Sequence, residues 1–583
     1  MSQTLPFYIQ DFPFNKEILD RLDEIHYSRD NWPVVYILIG GKFAYVGETK
    51  DLFTRLSKHL KHSLKKELTN IYIISSPLFH KSATLDIEAN LIKYLTGDEQ
   101  YKLLNANIGL EAHNFFQKQE VYLPLFESIW KKLIKLGIAV NSTNFIKNQN
   151  IFKYSPYKEL TTDQAKSLLE IMKILLNDNI RNTIVNGGSG TGKSILATFL
   201  FKLMYTDIEA FNFASFGSDE LEFVETVKLL KQKYPSPKMA LVIPVTSFRG
   251  TIKKVFQQIE GLNSSMVVSP TAITKEQYDI VLVDESHRLR NGPSGAYRTH
   301  FETGCKRLGV DPINSTELDW LLHKDQTKKL VLFYDSNQRV RSTDVLPEDF
   351  MLLALQKDIT CTFTLTSQMR LMGGKKYVDY VHNLLKCSIK PATAIFISKD
   401  YDFQLFDSIE EFVAKIRSRE TETRLSRFVA GYAWEWVSLK DPTKFDIIID
   451  RCKLKWNSPL KLKDWINSKN AINEVGCIHT VQGYDLNYAG VIFGNEITYD
   501  KSQNEIVVRR EHYHDSNGGR TIESTVVLKE FIINVYLTLL QRGMLGTYVY
   551  VCDPALKEYF SKHIKKAVKL NSISLNSRKI QGK

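Results

Sequence analysis

The stretch that decides the fold is Gly187-Gly188-Ser189-Gly190-Thr191-Gly192-Lys193-Ser194. An apolar run over residues 183–185 precedes it, and a helical pattern over residues 195–203 follows it. Glycines between a strand and a helix let backbone N–H groups curl around phosphates at the helix N-terminus. The octet therefore predicts a P-loop that binds ATP, in which Lys193 contacts the β- and γ-phosphates and Ser194 ligates Mg²⁺.

A pair of carboxylates follows a later apolar strand. Residues 279–283 form the strand, and Asp284 and Glu285 come directly after it. Open parallel sheets bind their ligands at the carboxyl edge of the strands. Asp284 is expected to hold Mg²⁺, directly or through water, and Glu285 to orient and deprotonate the attacking water. The pair predicts ATP hydrolysis in addition to ATP binding.

Short apolar strands alternate with helical stretches from Leu160 onward. This alternation predicts an α/β protein with parallel sheets. The predicted strands cover residues 183–185, 240–243, 279–283, 330–333, 490–493 and 547–551. A charged, hairpin-like segment over residues 495–527 interrupts the alternation, with a turn expected near residues 517–519.

The composition is that of a basic globular protein. The 583 residues suggest three or four compact units, and 77 Lys and Arg against 65 Asp and Glu give a net charge of +12, which favours polyanionic partners. No apolar run approaches the ~20 residues that span a bilayer, and the first 20 residues do not have the pattern of a signal peptide. The six cysteines are scattered without a CxxC pair, which argues against a disulfide framework or a thiolate zinc site. We expect a soluble, cytoplasmic protein with no membrane partner.

Residues 160–553 resemble the core of superfamily 1 helicases and, more narrowly, the helicase-like ATPase domain shared by schlafen-related proteins. The resemblance implies two RecA-like P-loop lobes with parallel sheets. It also implies that Gln164, in Leu160-Thr161-Thr162-Asp163-Gln164, contacts adenine, and that residues 244–247 touch single-stranded nucleic acid.

Further site residues follow from the same resemblance. Gln338 is expected near the γ-phosphate, and Gln482 lies in the motif over residues 479–485 that links nucleotide and nucleic acid. Arg370 and Arg542 would come from the second lobe, with Arg542 as the arginine finger that stabilises charge on the γ-phosphoryl group. The sequence departs from the family in two places: residues 334–336 replace glycine-aspartate-proline, and the residue before Arg542 is glutamine where threonine is commoner.

The N-terminal block has two strand-like pieces, over residues 34–36 and 45–49, followed by two helical patterns. In the first helix, over residues 51–64, Arg55 and His59 share one face. Glu88 occupies the apolar stripe of the second helix, where a carboxylate needs a partner and a metal ion is a natural one. A glutamate at the edge of the stripe that reaches solvent is the alternative. A basic stretch that suits a phosphate backbone comprises Lys50, Arg55, Lys58, Lys61, Lys65 and Lys66.

These features resemble a GIY-YIG nuclease domain. The residues that match the family's positions are Tyr36, Tyr45, Arg55, His59, Glu88 and Asn105. The resemblance implies phosphodiester hydrolysis with a single metal, Mg²⁺ or Mn²⁺, bound by Glu88. Tyr36 would help to activate water, Tyr45 would orient the phosphate or water, and Arg55 would offset charge in the transition state.

The expected organisation has six parts along the chain. They are an N-terminal extension (1–32), a small α/β GIY-YIG-like nuclease domain (33–112), a helical connector (113–158), RecA-like lobe 1 (159–355), RecA-like lobe 2 (356–560) and a basic tail (561–583).

The resulting hypothesis is an ATP-dependent nucleic-acid translocase with a metal-dependent nuclease domain. By resemblance the favoured substrate is DNA, with RNA as the other possibility, and the expected role is bacterial defence against phage or DNA repair. Two alternatives stay open: an ATP-gated nuclease switch without translocation, and a nucleic-acid-binding ATPase sensor with a degenerate nuclease domain. The sequence also leaves open a homo-oligomer or a partner subunit.

Overall fold

The computed structural model describes residues 6–26, 31–61, 65, 67–105, 114–156, 160–188, 190–207, 221–293, 297–335, 338, 341, 343–365, 368, 371–389, 395–458, 465–481, 484–515 and 522–568. The chain divides into two compact units. Unit 1 comprises Met1–Ser336 and Asp344–Ser367, and unit 2 comprises Asn337–Thr343 and Gln368–Lys583.

Unit 1 begins with a five-stranded sheet of order β1-β4-β2-β3-β5. The strands are β1 (Tyr8–Pro13), β2 (Val34–Gly40), β3 (Phe43–Thr49), β4 (Asn70–Ser75) and β5 (Lys102–Leu103). The pairs are antiparallel except that β5 runs parallel to β3. Because β1 pairs along the whole of β4, with Tyr8 opposite Ser75, the sheet starts well before residue 33. The predicted boundary between extension and domain is thus corrected: β1 covers the edge that β4 would otherwise expose.

Five helices accompany this sheet and continue into the connector. They are α1 (Leu52–Lys61), α2 (Lys81–Asp98), α3 (Leu123–Lys135), α4 (Thr143–Lys147) and α5 (Asn150–Tyr154). The connector packs tightly on α2, because a Cβ on Gly97 would lie 2.5 Å from the Ile146 side chain. The Asp98 carboxylate accepts hydrogen bonds from the backbone N–H groups of Val140 (2.9 Å) and Asn141 (2.8 Å).

The second sheet of unit 1 has six parallel strands in the order β11-β6-β10-β9-β7-β8. Its strands are β6 (Asn182–Gly187), β7 (Met239–Val242), β8 (Val267–Val268), β9 (Tyr278–Val283), β10 (Thr327–Tyr334) and β11 (Thr360–Leu365). Its helices are α6 (Thr162–Leu176), α7 (Lys193–Tyr205), α8 (Leu221–Lys233), α9 (Thr246–Gln258), α10 (Pro270–Ile273), α11 (Arg298–Leu308), α12 (Glu317–Leu322) and α13 (Pro347–Leu355). Since β11 pairs with β6, lobe 1 extends past the predicted end at residue 355.

One apolar core joins the two sheets of unit 1. It includes Val35 of the first sheet, Trp130 of the connector and Phe199 of α7, all of them buried. Polar contacts bridge the same boundary: Leu103 forms a β-bridge with Ile259, and Lys102 pairs with Glu260 at 3.2 Å. The N-terminal domain, connector and lobe 1 are therefore packed as one body.

Unit 2 is built on a seven-stranded sheet of order β12-β20-β17-β13-β16-β15-β14, in which only the β14–β15 pair is antiparallel. Its strands are β12 (Asp402–Leu405), β13 (Ser426–Ala430), β14 (Ile447–Ile449), β15 (Cys452–Trp456), β16 (Glu474–Cys477), β17 (Leu486–Phe493), β18 (Ile497–Asp500), β19 (Glu505–Val508) and β20 (Gly543–Val551), with β18 and β19 forming a separate hairpin. Its helices are α14 (Gly374–Leu385), α15 (Ile409–Thr423), α16 (Ile478–Val481), α17 (Thr525–Leu540) and α18 (Pro554–His563).

Two expectations for unit 2 concern its hairpin and its basic tail. The hairpin turns between Asp500 and Glu505, whereas the turn predicted over residues 517–519 lies outside the described residues. Residues 561–563 belong to α18, and the Ala567 N–H donates to the Leu405 carbonyl at 2.9 Å, so the basic tail starts later than residue 561. Within the part of the chain that the structure describes, no helix is long and apolar enough to cross a membrane.

Candidate functional site

The P-loop lies where β6 ends and α7 begins. Gly190 and Gly192 adopt left-handed φ angles of 82° and 90°, which glycine reaches without steric cost. The buried Lys193 ammonium folds back on the loop and donates to the carbonyls of Gly187 (2.6 Å) and Gly188 (3.0 Å). Thr191 closes the turn with a 3.0 Å hydrogen bond to Gly188, and Ser189 lies outside the described residues.

The predicted Mg²⁺ ligands Ser194 and Asp284 meet in the folded unit. The Ser194 hydroxyl donates to the Asp284 carboxylate, which is buried at the end of β9. Burial, and next the negative charge of Glu285, raise the pKa of Asp284. A hydroxyl and a carboxylate in contact beside a P-loop lysine are the oxygen ligands that Mg²⁺ takes in nucleotide sites, so the residues fit the ion.

Glu285 follows directly, with a left-handed φ of 55°. Its Oε2 lies 3.1 Å from His287 Nε2. A non-glycine residue in this conformation costs energy and is commonest at functional sites. The Glu285 carboxylate stays close enough to Asp284 for its negative charge to raise the pKa of that carboxyl.

Asp335 is a site residue that the sequence did not single out as functional. Its Oδ2 lies 3.7 Å from Lys193 Nζ, because β10, whose end it follows, is the neighbour of the P-loop strand β6. In the sequence, Asp335 belonged both to the stretch 335–338 that resembles the family's coupling motif and to a departure from the family pattern, and it was given no role of its own. The sequence does show that Asp335 follows an apolar strand. It does not show the order of the strands in the sheet, which is what places Asp335 beside Lys193.

Gln164 caps helix α6 and lies against the P-loop. It forms a capping box with Thr161, which holds the helix start in place. A Cβ on Gly192 would be 2.0 Å from Gln164 Nε2, so glycine at 192 makes room for this amide. The Nε2 atom is buried and has no hydrogen-bond partner among the described residues. A buried donor in need of an acceptor next to the P-loop fits the adenine contact expected of Gln164.

The remaining site residues expected from the resemblance, Gln338 from lobe 1 and Arg370, Gln482 and Arg542 from lobe 2, are placed less completely. Arg370 and Gln482 lie outside the described residues. Gln338 is buried and belongs to the short segment 337–343 of unit 2. Arg542 is only 1% exposed; its guanidinium donates to the carbonyls of Thr538 (3.1 Å) and Tyr484 (3.3 Å) within unit 2.

Four side chains predicted for the N-terminal site form one hydrogen-bonded cluster. Arg55 donates from Nε to the Tyr36 hydroxyl at 3.1 Å and from Nη2 to the Tyr45 hydroxyl at 3.0 Å. The Tyr36 hydroxyl also lies 2.7 Å from His59 Nε2. Gly47 is required here, because a Cβ would come within 2.3 Å of the Tyr36 hydroxyl. Strands β2 and β3 supply the tyrosines, and α1 supplies Arg55 and His59.

Glu88 lies in the middle of α2 and is 9% exposed, which rules out the solvent-facing alternative. Burial, and next the charge of Glu48, raise the pKa of Glu88 to about 8, while Arg55 and Lys81 oppose the rise. Lys81 forms an ion pair with Glu48. The described residues contain no group of three or more His, Cys, Asp or Glu that could hold a metal. Mg²⁺ commonly uses one or two carboxylates with water and substrate phosphate, so Glu88 with Glu48 fits such an ion.

Asn105 has a different position from the rest of the predicted set. Its Oδ1 accepts from the Val46 N–H at 3.1 Å and its Nδ2 donates to the Val46 carbonyl at 2.8 Å. Val46 lies between Tyr45 and Gly47 on β3. Asn105 therefore fixes the strand that presents Tyr45.

Lys65 is an additional member of the cluster. Its Nζ lies 2.8 Å from His59 Nδ1 and 3.3 Å from the centre of the Tyr45 ring. Burial, and next the positive charge of Arg55, lower the pKa of Lys65 to about 7. In the sequence Lys65 was one lysine of a basic stretch, whose neighbour Lys66 lies outside the described residues. Nothing local distinguished it from solvated lysines.

The P-loop of unit 1 and the parallel sheets of both units have the architecture of P-loop nucleotide-binding proteins. Residues 181–553 match the family model described as Schlafen group 3, DNA/RNA helicase domain. That match covers more than half of the chain, so the chain belongs to this family. An uncharacterized protein of Saccharomyces cerevisiae is 25% identical over 409 residues, which are 66% of this chain and 84% of the relative.

Solved structures add little to this assignment. The Pif1 helicase from Bacteroides in complex with ADP-AlF3 and ssDNA is 11% identical, covers 66% of this chain and 91% of its own, and has a TM-score of 0.24. A DEAD box protein from Methanococcus jannaschii is 13% identical, covers 74% of this chain and 98% of its own, and has a TM-score of 0.23. Scores this low support no statement about how this chain works.

Proposed function

We propose that this protein is an ATP-driven nucleic-acid motor with a metal-dependent nuclease domain at its N-terminus. The observation on which the proposal rests is the joint position of Lys193, Ser194 and Asp284 in a chain of the DNA/RNA helicase domain family. DNA is the favoured substrate, as the resemblance to superfamily 1 implies. A role in defence against phage or in DNA repair stays a prediction from that resemblance.

The proposed ATP site would use Lys193, Ser194 and Asp284, whose side chains lie near one another at the P-loop. Lys193 now donates to two loop carbonyls, and phosphate oxygens would replace these acceptors. Ser194 and Asp284 would hold Mg²⁺, which neutralises charge on the phosphates. Glu285 would orient the attacking water, and Gln164 would use its unsatisfied amide on adenine.

Motor action further requires that hydrolysis depends on closure of two lobes. Arg542 is the candidate for the group that senses closure, because an arginine finger speeds phosphoryl transfer by ~10³ or more. Its present hydrogen bonds to Thr538 and Tyr484 would have to break for that role. If closure of the lobes frees Arg542 from these two carbonyls, ATP hydrolysis depends on closure. A motor requires this dependence, whereas a switch that responds only to ATP binding does not.

The nuclease proposal rests on the cluster around Tyr36. Glu88, with Glu48 beside it, would hold Mg²⁺ or Mn²⁺, which supplies Lewis-acid activation of the scissile phosphate. Arg55 donates to both tyrosine hydroxyls and can offset negative charge nearby. Burial raises the pKa of Tyr36 well above its ordinary value, so the phenol keeps its proton unless neighbouring donors stabilise the phenolate.

His59 and Lys65 determine which way the Tyr36 proton points. A neutral imidazole donates from one ring nitrogen and accepts at the other. When Lys65 is charged it donates to Nδ1, so His59 Nε2 donates to Tyr36, whose oxygen then accepts from both His59 and Arg55. When Lys65 is neutral it can accept from Nδ1–H, and Tyr36 donates to Nε2. The charged state of Lys65 is therefore the one that favours a base-like Tyr36.

The ATPase part of the proposal is tested by steady-state hydrolysis with single- and double-stranded DNA and RNA. Wild type is expected to be stimulated by a strand, and Lys193→Ala to lose ATP turnover, because the charge on the β- and γ-phosphates is gone. Lys253→Ala, on the neighbouring helix α9, is the matched control. Wild-type turnover in Lys193→Ala would remove the P-loop assignment.

The nuclease part is tested in the same reactions by sizing the products with Mg²⁺ or Mn²⁺. Glu88→Ala is expected to abolish cleavage and leave strand-stimulated ATPase near wild type, because the two sites are separate clusters within unit 1. Glu120→Ala, an exposed glutamate of the connector, is the control. Continued cleavage by purified Glu88→Ala would exclude Glu88 from the active site.

A further inference from the structure

Three tryptophans of unit 2 form a group that the site above does not use. Trp434 and Trp436 follow β13, and Trp456 is the last residue of β15. The ring centroids of Trp434 and Trp436 lie 6.4 and 6.1 Å from that of Trp456. Trp456 is 2% exposed, whereas Trp434 and Trp436 are half-buried. The buried indole thus supports two partly exposed ones.

The half-buried pair is held in place without using its indole N–H groups. Trp456 Nε1 donates to the Trp434 carbonyl at 3.3 Å, and a Cβ on Gly494 would lie 3.2 Å from the Trp434 ring. Among the described residues, no side chain or carbonyl accepts from the indole N–H of Trp434 or Trp436. Two fixed aromatic surfaces with free N–H groups are suited to a flat ligand that carries acceptors.

The position of this pair in the sheet points to the kind of ligand. β13 and β16 are parallel neighbours, so the loop after β13 lies beside the segment after β16. The rings of Tyr432 and His479 are 5.6 Å apart across that gap. His479 opens the motif that, by resemblance, links nucleotide and nucleic acid. Ligands of parallel sheets bind at this carboxyl edge.

Lysines are interleaved with the aromatic residues of the same region. Lys440 and Lys444 are exposed, and Lys455 Nζ lies 5.2 Å from the centre of the Phe445 ring, which is itself 41% exposed. Alternating basic and aromatic side chains are the pattern with which proteins bind single strands, lysines at the backbone and rings under the bases. Stacking is tolerant of sequence because every base has a π-face.

We propose that Trp434 and Trp436 form a base-stacking platform for single-stranded nucleic acid. This inference rests on the proposed function, since it names the surface on which the motor would hold its strand. It commits to a polynucleotide, because the lysines complement phosphates and the platform adjoins the 479–485 motif.

The test compares binding of a thymidine oligonucleotide with that of an abasic oligonucleotide of the same length and charge. Wild type is expected to bind the abasic strand roughly ten-fold or more less tightly, the scale of stacking losses per base. Trp434→Ala and Trp436→Ala should lose most of that preference, and Trp434→Phe and Trp436→Phe should recover part of it. Phe116→Ala, which removes an aromatic ring that is 83% exposed in unit 1, is the matched control.

Tryptophan fluorescence gives a second readout that misfolding would not imitate. Among the described tryptophans, Trp130, Trp320, Trp456 and Trp465 are fully buried, whereas Trp32 of unit 1 is 36% exposed. The readout therefore uses a Trp32→Phe background, in which quenching by a bound strand should come mainly from the platform. The double variant Trp434→Phe with Trp436→Phe is expected to bind a strand with little quenching.

The outcomes separate this inference from the proposed function. If wild type binds neither strand, the motor proposal fails. If wild type binds both strands equally, or if the alanine variants keep the full preference for bases, the platform is overturned and the motor proposal stands.

Discussion

Replacing Lys65 with methionine should remove a pH dependence from the stability of unit 1. Methionine has a similar length and can keep the contact with the Tyr45 ring, but it carries no charge. The folded-state pKa of Lys65 is about 7, below the ordinary value of 10.5. Between these values the unfolded chain binds more protons than the folded chain, so the free energy of unfolding rises with pH across this window.

The size of the effect follows from the two pKa values. A buried charge of this kind costs about 4 kcal/mol of stability at pH 7 and about 2 kcal/mol at pH 9, at 1.36 kcal/mol per pKa unit. The cost is fully present below pH 7 and disappears above pH 10.5. Wild type should therefore gain about 2 kcal/mol more than Lys65→Met between pH 7 and pH 9.

The assay is urea or thermal unfolding of both proteins at pH 7 and pH 9, followed by the same probe. Other titrating groups are common to both proteins, so the difference between their pH responses isolates Lys65. Lys50→Met, which removes an exposed lysine from the same domain, should respond to pH as wild type does. If Lys65→Met gains as much stability as wild type, Lys65 keeps its proton in the folded chain and its proposed influence on His59 and Tyr36 is refuted.

Two further predictions concern the nucleotide cycle. Glu285→Gln should bind Mg²⁺·ATP normally but hydrolyse it orders of magnitude more slowly, because an amide is a poor base for water; measured ATP affinity and single-turnover rate would show this, and a normal rate would assign water activation elsewhere. Arg542→Lys should lose hydrogen bonds to two buried carbonyls, with a cost of ~1–3 kcal/mol in the stability of unit 2, and should slow strand-stimulated hydrolysis by ~10³. If Arg542→Lys unfolds at a lower temperature than wild type but hydrolyses ATP at the wild-type rate, Arg542 has only a structural role.

The sequence predicted best those features that short segments determine. The P-loop and the strand before Asp284 each depend on residues that are close in the chain, and the structure has β6, α7 and β9 where the sequence predicted a strand, a helix and a strand. The resemblance to the GIY-YIG family supplied the tyrosines and Arg55, and their proximity in space follows because β2, β3 and α1 follow one another directly in the chain. In each case the spacing along the chain already implies proximity in space.

Features that depend on strand order were not predictable in the same way. Asp335 reaches Lys193 only because β10 lies next to β6, and Lys65 becomes buried only when it folds onto Tyr45 and His59. β1 was missed because the short strand Tyr8–Pro13, with Gln10 and Asp11 at its centre, has little hydrophobic periodicity. The sequence pattern of one segment does not show which strand of a sheet still needs a neighbour to pair with.

The apolar core that runs from the first sheet through the connector to α7 limits how this protein can be dissected. The ring of Tyr154 in the connector packs 5.4 Å from that of Phe248 in α9, so a polypeptide beginning near residue 160 would expose the surface that these helices now cover. Such a fragment should aggregate, and limited proteolysis of the intact chain should not release a stable N-terminal piece. The N-terminal domain is thus not an interchangeable module, and its contribution can be separated from that of the P-loop domain only by substitutions of single side chains.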